Sequence, residues 1–475
     1  MLNGEGYRAS LDDGRSVYIR GERIENMARY APVAATIDRI ARTYDRGYDP
    51  APGATNPLLA APRSAEEFRE RLAQLHGEDL MLHVTYQSLM ALLTAAGRIE
   101  QDFPEGAARV RAYVEDCRRR DVRMVQCITD SKGDRSRSAG AQTDPDQYLH
   151  VVERRDDGVV IRGAKLHISG AAIAHELMVM PTKRMKPGEE EYAVACGVAV
   201  NTPGVKIVST MPDQPGDADP REFPLSWDRV LPEALIVFDD VFVPNERIFL
   251  DGHVASSAAF AHSLGLWERL SATGGQVRRA EQAVGLAQLI AEANGTERIP
   301  HIRDKVNDLV LHATLLRATF DAALVKSRED SDGILIPDEL NTNAAKVLAG
   351  EGWAAVVARL VDIAGGSTMT APSPLDFDHP DVAEHLDKYM SGVDGISGIY
   401  RARLFHLIKN MTADGFGGWL NVTTIHAGGG LYAQRLVMRK HFDMDSAKAT
   451  ALALLGGVNP VQAERAGAPA GGIAR

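Results

Sequence analysis

Three textures follow one another along the chain, and the period of the apolar positions marks each change. After a short strand-like opening at Ser16–Ile19, residues 33 to 122 repeat apolar side chains at helical spacing. Ser64 followed by Glu67 has the form of a capping box, in which a hydroxyl and a carboxylate satisfy free N–H groups at a helix start. Residues 79 to 98 predict a long, mostly apolar helix with Leu82, Tyr86, Leu89 and Leu93 on one face. From about 123 to 250 the period shortens to that of strands. Residues 148–153 and 159–162, joined by a polar turn ending at Gly158, predict a hairpin, and 177–180, 192–200, 205–208 and 235–238 predict further strands.

Helical spacing returns from about 253 to 456. Ile302, Val306, Leu309, Ala313, Leu316 and Phe320 make one apolar stripe, and Ala280, Ala283, Val284, Ala287 and Ile290 make another. Small residues on such stripes let helices pack closely, which predicts a bundle. The pattern as a whole predicts an α+β chain. A mainly helical N-terminal domain is expected over residues 1–140, a central β-domain, sandwich or barrel, over 141–265, and a C-terminal helical bundle over 266–456. The Ala/Gly/Pro-rich residues 457–475 predict a flexible tail.

At 475 residues the chain is long enough for two or three domains. Its net charge of −11, from 64 acidic and 53 basic residues, argues against a generalised nucleic-acid surface. Three cysteines, none in a C-x-x-C pair, argue against a disulfide framework and a thiolate zinc site, and predict a cytoplasmic protein. With no run of eighteen apolar residues and no signal-peptide succession, no membrane contact is expected. Rossmann, P-loop, nucleophile-elbow and H-E-x-x-H patterns are all missing.

Candidate chemistry concentrates at two strand ends, residues 128–136 (Ile-Thr-Asp-Ser-Lys-Gly-Asp-Arg-Ser) and 162–170 (Arg-Gly-Ala-Lys-Leu-His-Ile-Ser-Gly). Both combine hydroxyls, glycine-supported N–H groups and charge, as a planar hydrogen-bonding ligand such as an isoalloxazine requires. Thr129 and Ser169 supply the hydroxyls, Gly170 a free backbone, and Asp134 with Arg135 the charge. Lys165 and His167, two residues apart, are expected to share one strand face. Thr129 and Ser169 are equally explained as turn formers. Gly365–Gly366 and the turn from His426 through Gly428 interrupt the helical region, where backbone either approaches a ligand or simply turns between helices. His83 lies one helical turn after Asp79 and near Tyr86, which suits an oriented acid/base imidazole or a structural histidine.

Taken together, helices, β-domain and bundle resemble the acyl-CoA dehydrogenase-like flavoproteins. Residues 129–134 resemble their flavin loop, 163–170 their second flavin strand, and 238–249 the strand and turn that close the β-domain. Within that superfamily, residues 11–19, the hairpin, 362–366 (Asp-Ile-Ala-Gly-Gly) and 426–435 (His-Ala-Gly-Gly-Gly-Leu-Tyr-Ala-Gln-Arg) are similar to the group containing 4-hydroxyphenylacetate 3-monooxygenase and 4-hydroxybutyryl-CoA dehydratase. The similarity runs from about residue 5 to 456.

That resemblance implies FAD, with FMN as the other option, held by Thr129, Asp134, Arg135, His167, Ser169 and Gly170. It also implies a homotetramer in which Gly365, Gly366, His426 and Gly428 reach a neighbouring subunit's flavin. The dehydratases hold an iron–sulfur cluster through three cysteines and a histidine. Those positions correspond here to Asp79, His83, Arg269 and Gln276, so no cluster and no other metal is expected. The monooxygenases use an arginine and a tyrosine from the early helix and a histidine before the flavin loop. Here Tyr86 remains, the arginine is missing, and Gln126 stands for the histidine.

The leading expectation is the oxygenase component of a two-component flavin-dependent monooxygenase. A separate reductase would supply reduced flavin, and the substrate would be an aromatic or related small molecule. His83 is the expected acid/base, with Tyr86 and Arg269 lining the substrate side and Arg269 clamping an anionic group. The alternative is a redox-neutral or oxygen-independent flavoenzyme, an isomerase, cyclase or dehydrogenase, acting on an acyl thioester or similar substrate. A non-catalytic flavin carrier is the third reading.

Overall fold

The computed structural model describes residues 1–211 and 217–455, and the tail expected over 457–475 lies outside the described residues. The N-terminal region comprises α1 (Gly4–Ser10), β1 (Ser16–Ile19), β2 (Glu22–Ile24), α2 (Ala34–Gly47), α3 (Ala65–Gly77), α4 (Leu80–Ile99) and α5 (Pro104–Arg120). Side-chain caps set the helix starts. Ser64 Oγ accepts from the Glu67 N–H at 3.1 Å, and the Glu67 carboxylate accepts in turn from the Arg63 N–H at 2.9 Å, one residue before the cap. Asp79 starts α4 by accepting from the Leu82 N–H at 2.7 Å. By length and composition α4 could cross a bilayer, yet 78% of its apolar window is buried inside the protein, as in a core helix.

The central region contains β3 (Met124–Cys127), β4 (Thr129–Asp130), β5 (His150–Arg155), β6 (Gly158–Ser169), β7 (Glu176–Val179), β8 (Val194–Ala199), β9 (Val205–Thr210), β10 (Glu233–Pro244) and β11 (Ile248–Asp251). One sheet has the order β2-β1-β9-β10-β6-β4, with β5 also on β6, and the second has the order β11-β8-β7-β3. Val17, Ile161, Ile207 and Phe238 of the first share a buried cluster with Val125, Leu177 and Val194 of the second. Among the described residues the two sheets therefore make a sandwich and not a closed barrel. The sandwich draws strands from well before residue 141. Ser16 of β1 lies opposite Lys206 of β9 in a parallel pairing, and β3 pairs with β7. Such non-local pairings leave no trace in the local period.

One irregularity corrects the expected geometry of β6. Between the pairs Ala234↔Ile168 and Ile236↔Lys165, two residues of β6 oppose one of β10, and His167 takes a φ of 63°. This bulge resets the alternation, so Lys165 is buried and His167 is exposed, and they do not share a face. The Lys165 ammonium pairs with Asp130 at 2.7 Å and donates to the Ile128 and Met180 carbonyls at 3.0 and 2.9 Å. It pins β4 and the end of β7 to β6.

The C-terminal region comprises α6 (Ser257–Asn294), α7 (Pro300–Val325), the short strands β12 (Arg328–Glu329) and β13 (Leu335–Ile336), α8 (Glu339–Ala364), α9 (Ser367–Thr370), α10 (Ala383–Met390), α11 (Gly398–Thr412), α12 (Gly415–His426), α13 (Leu431–His441) and α14 (Met444–Ala453). Helix α6 joins both helical regions, since its Trp267 lies in one core cluster with Leu89 of α4 and its Ile290 in another with Leu360 of α8. It runs unbroken through Gly274, where a Cβ would come within 2.6 Å of His76 Cε1 and 3.2 Å of Phe320 Cζ. That glycine lets the end of α3 lie directly on α6 and so positions His76.

Candidate functional site

Helix α4 presents two faces. Leu82, Tyr86 and Leu89 enter the hydrophobic core, while Asp79, His83 and Gln87, at i, i+4 and i+8, line a cavity of about 380 Å³. The cavity opens where α4, the end of β6, α6 and α12 converge, with Ser169, Ser271, Gln276 and Trp419 on its walls. Its volume falls within the roughly 300–1,000 Å³ of small-molecule sites.

His83 is 5% exposed, and its Nε2 has no hydrogen-bond partner. The expected Asp79–His83 orientation is not realised through the side chains, because Asp79 caps its own helix. The ring facing His83 is that of His76, whose Nε2–H donates to the Ser271 carbonyl at 3.0 Å. Burial, and then His76, hold the His83 imidazole well below its usual pKa, so it stays neutral. Burial likewise pushes His76 down to about 4, opposed by its bond to Ser271. Ser271 Oγ and Gln276 Oε1 are also buried without partners, while Gln276 Nε2 donates to the Thr424 carbonyl at 3.4 Å. Nε2, Oγ and Oε1 are thus available to a ligand's polar atoms.

At the β6 rim the Ser169 hydroxyl donates to Glu233 at 2.8 Å, and Trp419 Nε1 donates to the same carboxylate at 2.7 Å. Gly170, at a φ of 77°, is pressed against α4, where a Cβ would meet Met81 Sδ at 2.3 Å. Burial raises the pKa of the Glu268 carboxyl, opposed by Lys346 and Arg269, and burial lowers Lys346 to about 8, opposed by Glu268. Arg279, lowered to about 10 by burial, donates to Thr424 Oγ1 at 3.1 Å and lies 5.4 Å over the Trp353 ring.

The structure brings His83, Ser169 and Gln276 to one cavity. Tyr86 lies elsewhere, edge-on to Trp267 at 6.1 Å in the core, with its hydroxyl buried and unpartnered. Arg269 and Gly428 meet each other: Arg269 Nε donates to the Gly428 carbonyl at 2.7 Å and its Nη1 to Asn343 Oδ1 at 2.8 Å. Thr129 pairs with Leu166 across β4 and β6 and is absent from the cavity wall. Asp134 and Arg135 sit on an exposed loop, where Asp134 accepts from the Ser136 N–H and pairs with Arg137. Gly365 and Gly366 follow α8 and His426 ends α12, all three exposed.

Sequence reasoning missed His76, Glu233, Glu268, Lys346 and Arg279. A legible signal existed for two of them, since Glu268 and Lys346 each interrupt an otherwise small or apolar helical stretch. Among the described residues no group of three His, Cys, Asp or Glu converges as metal ligands would.

The family profile described as 4-hydroxyphenylacetate 3-hydroxylase N terminal matches residues 3–250, and its C-terminal counterpart matches residues 257–456. The 4-hydroxybutyryl-CoA dehydratase/vinylacetyl-CoA-Delta-isomerase of Clostridium aminobutyricum is 26% identical over 96% of this chain and 99% of its own length. The 4-hydroxyphenylacetate 3-monooxygenase oxygenase component of Thermus thermophilus is 27% identical over 85% of this chain and 86% of its own. Among solved structures, an oxygen-tolerant archaeal 4-hydroxybutyryl-CoA dehydratase from N. maritimus superposes with a TM-score of 0.86 at 24% identity, covering 97% of this chain and 96% of its own. A 4-hydroxyphenylacetate 3-monooxygenase oxygenase component complexed with FAD gives a TM-score of 0.85 at 24% identity, covering 96% and 98%. These structural likenesses bear on the fold, which is the acyl-CoA dehydrogenase-like arrangement of helices, β-sandwich and helical bundle expected from the sequence. Two profiles that together span nearly the whole chain show that it belongs to the 4-hydroxyphenylacetate 3-hydroxylase family.

Proposed function

We propose that this chain is the oxygenase component of a two-component flavin-dependent monooxygenase, taking reduced FAD from a separate reductase and acting on an aromatic or related small molecule. The observation that carries the reading is the cavity itself. It sets the Ser169 hydroxyl at a strand end against the unpartnered His83 Nε2 on a helix, with apolar Leu231 and Leu420 between them and solvent. Relatives named oxygenase components or FADH(2)-dependent monooxygenases support the same reading.

A planar ring with polar edges fits this donor set. Ser169 is the residue to hold it, because Glu233 and Trp419 fix the hydroxyl and leave its oxygen free to accept a hydrogen bond. Bound reduced flavin would supply the activation of dioxygen. His83 accepts the hydrogen bond of a substrate hydroxyl at Nε2, which a neutral imidazole can do and an imidazolium cannot. Because charging a buried imidazole is costly, the proton moves fully to His83 only as the substrate oxygen becomes an anion beside it. Leu75, Leu80 and Val84 keep bulk water from that pair.

We further place the protein in the cytoplasm, as its three cysteines are free and buried, and assign it a homotetrameric assembly. Exposed Val310, Leu311 and Leu315 on α7 and Tyr432 and Leu436 on α13 supply apolar surface for such contacts.

The test is a titration of the purified chain with oxidised and reduced FAD, followed by turnover of a phenol panel with supplied FADH2 and labelled dioxygen. Binding of FAD and incorporation of one labelled oxygen atom are expected. Absence of flavin binding removes the proposal, and turnover that persists under nitrogen moves the chain to the oxygen-independent alternative.

A further inference from the structure

The arginine expected to clamp an anionic substrate does not face the cavity. Two of Arg269's donors are committed to the Gly428 carbonyl and Asn343 Oδ1. A different set of guanidinium groups lines the mouth: Arg39 of α2, Arg229 on the segment before β10, and Arg278 of α6.

Their carboxylate partners do not balance them. Asp228 is approached by Arg39 at 3.1 Å, Arg42 at 3.6 Å and Arg229 at 3.7 Å. Glu78, also on the wall, is held by Arg46, and Asp79 faces Arg123 at 3.7 Å. Glu268 sits beside Lys346 and Arg269, and not at the mouth. Arg278 is exposed and has no acidic partner among the described residues. One carboxylate thus stands against four guanidinium groups. Burial, and then the charges of Arg39 and Arg278, pull Arg229 below its ordinary pKa, which is the signature of like charges gathered with too few counter-ions. The inner end is uncharged by contrast, with neutral His83, Ser271 Oγ and Gln276 Oε1 awaiting partners. The cavity is therefore polarised along its length.

We propose that the substrate of this site carries an oxyanion, a carboxylate or a phosphate, at the end opposite its reacting hydroxyl, and that Arg229 and Arg278 receive it at the mouth. The substrate enters hydroxyl first, and guanidinium forks suit a planar carboxylate or a phosphate face. This rests on the reading of the cavity as the substrate site and narrows the substrate to a class.

The experiment measures calorimetric affinity of the full chain, without flavin, for two matched pairs. One is 4-hydroxyphenylacetate against its neutral amide, and the other is 4-hydroxybutyryl-CoA against the pantetheine thioester of the same acyl group. The anionic member of one pair should bind about tenfold or more tightly, the scale of one charge-assisted contact. The preference should shrink with added salt and approach unity in Arg229→Gln and Arg278→Gln, with thermal melts confirming that both variants fold. Discrimination in the first pair assigns a carboxylate, and in the second a phosphate. Equal affinity within both pairs, no binding of any probe, or a preference that survives both substitutions overturns the proposal. FAD affinity is measured in parallel. If it drops in the variants while the pair ratios stay unchanged, the cluster serves the cofactor's pyrophosphate and the proposal falls, with the monooxygenase reading intact. Failure of the native chain to bind FAD instead removes that reading alone.

Discussion

The imidazoles of His76 and His83 meet edge to face, with centroids 4.7 Å apart and ring planes at 63°. They belong to different helices, α3 and α4, and are brought together because Gly274 leaves room for His76 on α6. Each ring disfavours protonation of the other, so the pair titrates as a unit and stays neutral near pH 7.

Replacing His83 with Leu removes the only partner-free imidazole nitrogen in the cavity among the described residues. Turnover should fall about 100-fold, the usual scale for a positioned acid/base. Stability should hold or rise slightly, because an unsatisfied buried polar atom is lost. Steady-state kinetics with supplied FADH2, alongside a thermal melt, checks both. Undiminished turnover would strip His83 of the role.

His175 links the N-terminal segment to β3. Its Nδ1 accepts from the Arg123 N–H at 2.8 Å and its Nε2–H donates to Ser10 Oγ at 2.8 Å. Burial, and then Arg15 and Arg123, push its pKa down to about 3 from 6.5, and His76 falls to about 4. Both folded values are depressed, so the unfolded chain binds protons first as pH drops. Stability should be level above pH 6.5 and decline from there toward 3, and His175→Gln should flatten part of that decline. Urea midpoints measured across this range check it, and a flat native profile would contradict it.

Gly428 takes a φ of 77°, and a Cβ there would come within 2.8 Å of Arg269 Cγ. Gly428→Ala should cost about 2 kcal/mol, from the left-handed backbone and the displaced arginine together. Chemical denaturation measures this. A neutral result would mean that the turn relaxes freely.

Lys165 and Asp130 form a pair with side chains 1% and 2% exposed. Lys165→Met strands a buried carboxylate and should cost about 3–5 kcal/mol. Adding Asp130→Asn should restore much of the loss, since an amide oxygen still accepts from the Leu149 N–H, now made at 3.0 Å. A double-mutant cycle reads the coupling, and strictly additive losses would refute it.

Local chemistry in the sequence determined a good deal of this protein. Alternating periods set out the order of helices, strands and helices, and Ser64 and Asp79 mark helix starts where the structure has them. The hairpin around Gly158 follows from its polar turn. Ser169 and His83, chosen for residue type and position, both line the cavity. Only the tertiary structure decided the rest. It turned Tyr86 into the core and His83, on the next helical face, toward the cavity. It set His76 against His83, placed a bulge at His167, engaged Arg269 with Gly428, and gathered Arg39, Arg229 and Arg278 at one mouth. Periodicity reports that a face is buried, because burial follows from the residues along one element. What that face is buried against depends on segments hundreds of residues away, and no local pattern carries that.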